Sequence, residues 1–188
     1  MIEQVATFDL NVDILLLEWR RVRELYTGLE SNRIRITYSD LDDENIPCNI
    51  PYRNSSIREL SKQTQGNITS VLNTWSAKNI LKPFQKTYTE QVIKNVDQWF
   101  NSQDLRCTVA KYAYSRPGTC LPMHTDHYPY RYHIPIKTQS GCVMIIDNVL
   151  CSMPNVGTMY RMPSTVEHTA INASDDERIH LVFDVVNI

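Results

Sequence analysis

From position 106 to the end, the chain leaves no room for a helix between its apolar runs. "RCTVAKYAYS" (106–115), "YRYHIPIK" (130–137), "GCVMIID" (141–147), "GTMYRMP" (157–163), "TVEHTAIN" (165–172) and "RIHLVFDVV" (178–186) are short and rich in β-branched and aromatic residues, with Pro, Gly, Asn and Asp between them. Parallel strands need crossovers of about a dozen residues or more, usually helical. Short turn-rich links instead specify an antiparallel barrel or sandwich. In the last run Ile179, Leu181, Phe183 and Val185 form one apolar face, and Arg178, His180, Val182 and Asp184 alternate against it.

The first half reads differently. Leu15, Trp19, Val22 and Leu25 recur at helical spacing within a pattern running from Val12 to Leu29. "SSIRELSKQTQGNITSVLNTWSA" (55–77) is read as one or two helices with a break at Gly66. "KPFQKTYTEQVIKNVDQWFNSQD" (82–104) places Val92, Val96 and Phe100 on one stripe, with Pro83 suited to its start. The intervening "YSDLDDENIPCNIPYRNSS" (38–56) is acidic and turn-rich but lacks the ligand offsets and glycine of a calcium loop. The expected fold class is α+β. A mainly helical region, 1–105, would pack on a β core, 106–188, to make one structural domain.

Composition narrows the function. A net charge of -2, with no basic run and no phosphate-cradling glycine loop, gives no reason to expect nucleic acid. The apolar patch Ile14 to Leu17 is too short to span a membrane and lacks the order of a secretion signal. Five irregularly spaced cysteines, an odd number, point to thiols in a reducing compartment. A cytoplasmic protein is the expectation.

All five histidines lie at or after position 124, and three fall within "PGTCLPMHTDHYPYRYHIPI" (117–136). Side chains two apart in extended chain share a side, so His124 and Asp126 can approach one metal ion. A third ligand must return on another strand. His168, just ahead of a turn-rich segment and the final strand, is the preferred choice over His180 and His133. Two imidazoles and a carboxylate on one face leave neighbouring positions open, which suits non-haem Fe(II), although zinc takes the same donors. Arg178 would bring a cation to the mouth of a β core and needs an anion there. Glu177, Asp184 or a dicarboxylate cosubstrate can supply it. Arg131 and His133 project together and can meet a carboxylate of cosubstrate or substrate, His133 more naturally as a hydrogen-bond donor than as a ligand.

Taken together, "HTD", "RYHIPI", "GTMYRMP" and "EHTAINASDDERIHLVFD", in that order, resemble the aspartyl/asparaginyl β-hydroxylase-like family of Fe(II)- and 2-oxoglutarate-dependent dioxygenases. The resemblance implies a double-stranded β-helix core (jelly-roll, cupin-like) from about Arg106 to Val186, and it covers the helical half less securely. It implies that His124, Asp126 and His168 bind iron, that Arg178 holds the far carboxylate of 2-oxoglutarate, and that Arg131 and His133 help surround this cosubstrate. O2 would be the second cosubstrate, with succinate and CO2 as coproducts of hydroxylation at an unactivated carbon. A carboxylate at Asp126 favours hydroxylation over halogenation, because it fills the position a halide needs. Tyr112, Tyr114, Tyr128, Tyr130 and Tyr132 give the surroundings an aromatic character. The short chain favours a small-molecule substrate, a free amino acid or small carboxylic acid. A peptide side chain, a noncatalytic β-barrel binding a small carboxylate, and a metal-dependent isomerase or hydrolase remain as alternatives.

Overall fold

The computed structural model describes residues 1–25, 33–39, 75–126 and 128–187. In chain order these form β1 (Glu3–Thr7), α1 (Val12–Leu25), β2 (Arg33–Arg35), β3 (Thr37–Ser39), β4 (Trp75–Ile80), a 3-10 turn (Lys82–Phe84), α2 (Tyr88–Asn101), β5 (Leu105–Ser115), β6 (Thr119–Cys120), β7 (Tyr130–Lys137), β8 (Cys142–Ile146), β9 (Val149–Ser152), β10 (Thr158–Pro163), β11 (His168–Asn172) and β12 (Arg178–Asn187). The chain divides into two compact units, Met1–Val12 with Tyr112–Asp184, and Asp13–Lys111 with Val185–Ile188.

The first unit is the antiparallel β core that the turn spacing demands, a jelly-roll. One sheet runs β1-β10-β7-β12, and a second runs β6-β11-β8-β9. Met144, Ile146 and Ala170 of the second sheet pack with Tyr160 and Met162 of the first. Register decides what else faces inward. Tyr160 and Val182 both lie opposite His133, and Met162 and Asp184 both lie opposite Arg131. Directly opposed residues share a face, so the inner face carries an apolar cluster beside a polar row. Residues 178–185 of β12 are buried throughout, as befits a strand covered on both faces.

β9 and β1 escape a reading by periodicity, as does the two-residue β6. β9 follows β8 through Asp147 and Asn148, both at positive φ, the two-residue turn that matches strand twist. β1 adds to the edge of β10 from within the stretch read as helical.

In the second unit, Leu15, Trp19 and Val22 are the buried stripe of α1, whereas Leu25, read on that stripe, is exposed. α2 buries Val92, Ile93, Val96 and Phe100. Pro83 does not start it; Pro83 belongs to the separate 3-10 turn, and Thr87 caps α2 by accepting from the Glu90 amide. Glu18 of α1 accepts from the backbone amides of Tyr88 and Thr89 at 2.8 and 2.7 Å, placing a carboxylate at the positive end of α2. Beside its two helices, the region 1–105 also holds β1, β2, β3 and β4. Of the helices read over 55–77, residues 55–74 lie outside the described residues, and Trp75 to Ala77 belong to β4, which pairs antiparallel with β3. No helix among the described residues is long and apolar enough to cross a membrane.

Candidate metal centre

Two histidines distant in sequence meet through backbone pairing. His124 donates its amide to the His168 carbonyl at 3.1 Å, and His168 returns the bond at 2.9 Å. Their rings stand 4.4 Å apart between centroids. Each ring is also oriented from behind. Nδ1 of His124 lies 2.8 Å from the Pro122 carbonyl, and Nδ1 of His168 lies 2.9 Å from the Val166 carbonyl. A carbonyl only accepts, so the proton sits on Nδ1 in both rings and each Nε2 keeps its lone pair. That is the tautomer a metal needs.

Asp126 completes the group. Its amide donates to Ser164 at 2.7 Å, which ties the segment after His124 to the start of β11's approach. Ser164, fully buried, also donates its hydroxyl to the Tyr128 carbonyl. Sequence reading passed over this serine because its role is purely to bind backbone. Oδ2 of Asp126 is 3.3 Å from Nε2 of His168, and the ligand atoms of His124, Asp126 and His168 all lie within 4.8 Å of one another. His133 and His180 stand outside this group. Their rings meet edge-to-face at 5.6 Å. His127 lies outside the described residues.

Arg131 is committed to acids of the protein. Its Nη1 pairs with Asp126 Oδ2, and its Nε donates to Asp184 Oδ1 at 2.6 Å. Burial works against the guanidinium charge, but Asp184 and Asp126 outweigh it and hold its pKa above the ordinary value.

Arg178 is the opposite case. It is buried, and no ion pair joins it to a carboxylate among the described residues. Asp184, one acid that sequence reading offered it, is taken by Arg131, and no ion pair forms with the other, Glu177. The nearest polar partner is Nδ1 of His180 at 3.3 Å. Burial lowers the Arg178 pKa to about 10, which leaves it a cation at neutral pH. His180 is fully buried, and burial, then Arg178 and His133, push its pKa well below the usual value. Its Nδ1 therefore accepts from Arg178, its Nε2 carries the proton, and that buried Nε2 has no hydrogen-bond partner among the described residues. Among the described residues, a cation without an anion and a donor without an acceptor stand side by side. A ligand with acceptor oxygens would satisfy both.

Asn172, which sequence reading also missed, closes this end of β11. It donates to the Ser115 and Asp176 carbonyls at 3.0 and 2.8 Å, and its oxygen accepts from the Ser174 hydroxyl at 2.6 Å. Of the expected aromatic surroundings, Tyr112, Tyr114 and Tyr132 are buried, and Tyr130 is exposed with Arg161 over its ring.

The model of the family described as aspartyl/asparaginyl beta-hydroxylase matches residues 56–187. No curated protein matches the chain. Among solved structures, AviO1 from Streptomyces viridochromogenes Tue57 aligns over 99% of this chain and 89% of its own, with 12% identity and a TM-score of 0.56, so the two share a fold. A cupin domain from Bordetella pertussis Tohama I aligns over 44% of this chain and 81% of its own, with 23% identity and a TM-score of 0.36.

Proposed function

The chain belongs to the aspartyl/asparaginyl β-hydroxylase family and is thus an oxygenase-type oxidoreductase; from that premise we propose that it is an Fe(II)- and 2-oxoglutarate-dependent dioxygenase. The observation that carries the proposal is the buried Arg178, a cation without a carboxylate partner among the described residues, in the same unit as the His124, Asp126 and His168 donors.

The donor set fits a divalent metal: two Nε2 lone pairs freed by carbonyl-bound Nδ1 protons, and a carboxylate beside them. Bound Fe(II) with 2-oxoglutarate would supply oxidative decarboxylation of the cosubstrate, with O2, coupled to hydroxylation of an unactivated carbon. The residues of the chain do the rest. His124, Asp126 and His168 would hold the metal. Arg178 would grip the far carboxylate of 2-oxoglutarate through its fork of donors. His180 stays neutral beside it, accepting a hydrogen bond from the guanidinium at Nδ1 and offering its Nε2 proton to the same ligand. His133, opposite Val182 of β12, would help surround this ligand.

The proposed substrate is a free amino acid or small carboxylic acid, in a cytoplasmic setting without nucleic acid or membrane. Oxygen-dependent succinate release across a panel of amino acids, small acids and peptides tests this. Turnover with small acids is expected. Turnover with peptides alone would move the reading to a side-chain hydroxylase, and carboxylate binding indifferent to metal would replace it with a noncatalytic binder.

A further inference from the structure

Asp126 lies in the segment between β6 and β7, outside any strand. Its amide is fixed by the Ser164 carbonyl, which by itself does not set the direction of the carboxylate. What faces it is Arg131, on β7, opposite Asp184 of β12 in register. Arg131 reaches Asp126 through Nη1 and Asp184 through Nε, and both Arg131 and Asp184 are buried.

We propose that Asp184 is a positioning residue for the metal centre, acting through Arg131 to fix and charge-balance the carboxylate of Asp126. The inference rests on reading His124, Asp126 and His168 as a metal site. Two physical arguments carry it. The first is geometric. Arg131 is planar and held at Nε by an acid on the adjoining strand, so its Nη1 sets a positive charge against Asp126 at one fixed place. A carboxylate on an irregular segment thereby inherits the rigidity of a sheet. The second is electrostatic. A guanidinium beside a metal ligand competes with the metal for that ligand and repels a dication. Asp184 supplies the second negative charge, so two carboxylates and one guanidinium leave a net charge of about -1 facing the metal position. Without Asp184, the buried charges of Arg131 and Asp126 cancel and the attraction for a cation falls.

Co(II), which reports its ligand field by visible absorption, is the probe. The full-length protein and its Asp184→Asn, Asp184→Glu and Arg131→Lys variants are titrated with Co(II), and each apo form is melted in parallel. Asp184→Asn is expected to weaken Co(II) binding by about 10- to 100-fold and to shift the absorption band, as loss of a partner behind a ligand typically does. Asp184→Glu keeps the charge and is expected to lose less. Unchanged Co(II) affinity and band in Asp184→Asn, with only a lower melting temperature, would overturn the proposal. If Asp184→Asn does not fold, Arg131→Lys decides. A lysine lacks the fork that spans both acids, so a comparable loss is expected and unchanged affinity overturns the idea. Wild-type protein that binds no Co(II) at His168 sinks the metal reading and this inference together. Wild-type binding with unaffected variants sinks this inference alone.

Discussion

At the scale of single residues, His124 and Asp126 come together as their two-residue spacing suggests, although Asp126 lies outside any strand. Which acid serves which arginine was not legible in the sequence. Arg131 and Asp184 are 53 positions apart, and only the register of β7 against β12 sets them opposite each other. The consequence is functional, since that pairing leaves Arg178 without a carboxylate among the described residues. Replacing Arg178 with alanine is therefore expected to raise the 2-oxoglutarate concentration needed for turnover by about 10- to 100-fold, the worth of one or two charge-assisted hydrogen bonds, with Co(II) binding retained. Equal 2-oxoglutarate dependence in variant and wild type would remove Arg178 from the site. His180 gives a pH test. Its folded pKa lies well below 6.5, depressed by burial, then by Arg178 and His133. As pH falls below 6.5, the unfolded chain takes up a proton that the folded protein refuses, so stability present above 6.5 is lost on acidification. Urea midpoints between pH 7 and 5 are expected to fall less steeply in His180→Gln than in wild type; identical slopes would contradict this.

At the scale of elements, β5, β7, β8, β10, β11 and β12 were legible as apolar runs bounded by turn residues. The edge strand β1 was not, because its sequence "EQVAT" is mostly exposed and takes its conformation from β10. The link holding it to the core is a prediction in itself. Gly157 sits at φ +77, and a Cβ there would lie 2.8 Å from the Phe8 carbonyl oxygen, just where the Phe8 amide donates to the Gly157 carbonyl. Gly157→Ala combines left-handed strain with a backbone clash and is expected to cost about 1–3 kcal/mol in urea unfolding. A change of only a few tenths would mean that β1 yields freely. In the second unit, loss of the Thr87 cap in Thr87→Ala is expected to cost about 1 kcal/mol. The start of α2 was misplaced at Pro83 for a physical reason: proline fits the first turn of a 3-10 helix as well as that of an α-helix.

At the scale of the whole molecule, residues 56–187 carry the family match, while the three candidate metal donors and Arg178 lie in the unit formed by Met1–Val12 and Tyr112–Asp184. Metal that binds only the folded state must stabilise it, by about 2.7 kcal/mol at a hundredfold excess over Kd. Co(II) is accordingly expected to raise the melting temperature of wild type and to leave His124→Ala unmoved. The most direct measurement is anaerobic: absorption of the protein with Fe(II), before and after 2-oxoglutarate. A weak visible charge-transfer band that needs both components, vanishes in His168→Ala and demands more 2-oxoglutarate in Arg178→Ala is the expected result. Fully metal-loaded protein that shows no such band at saturating 2-oxoglutarate would contradict a cosubstrate chelated beside His124, Asp126 and His168 with its far end on Arg178.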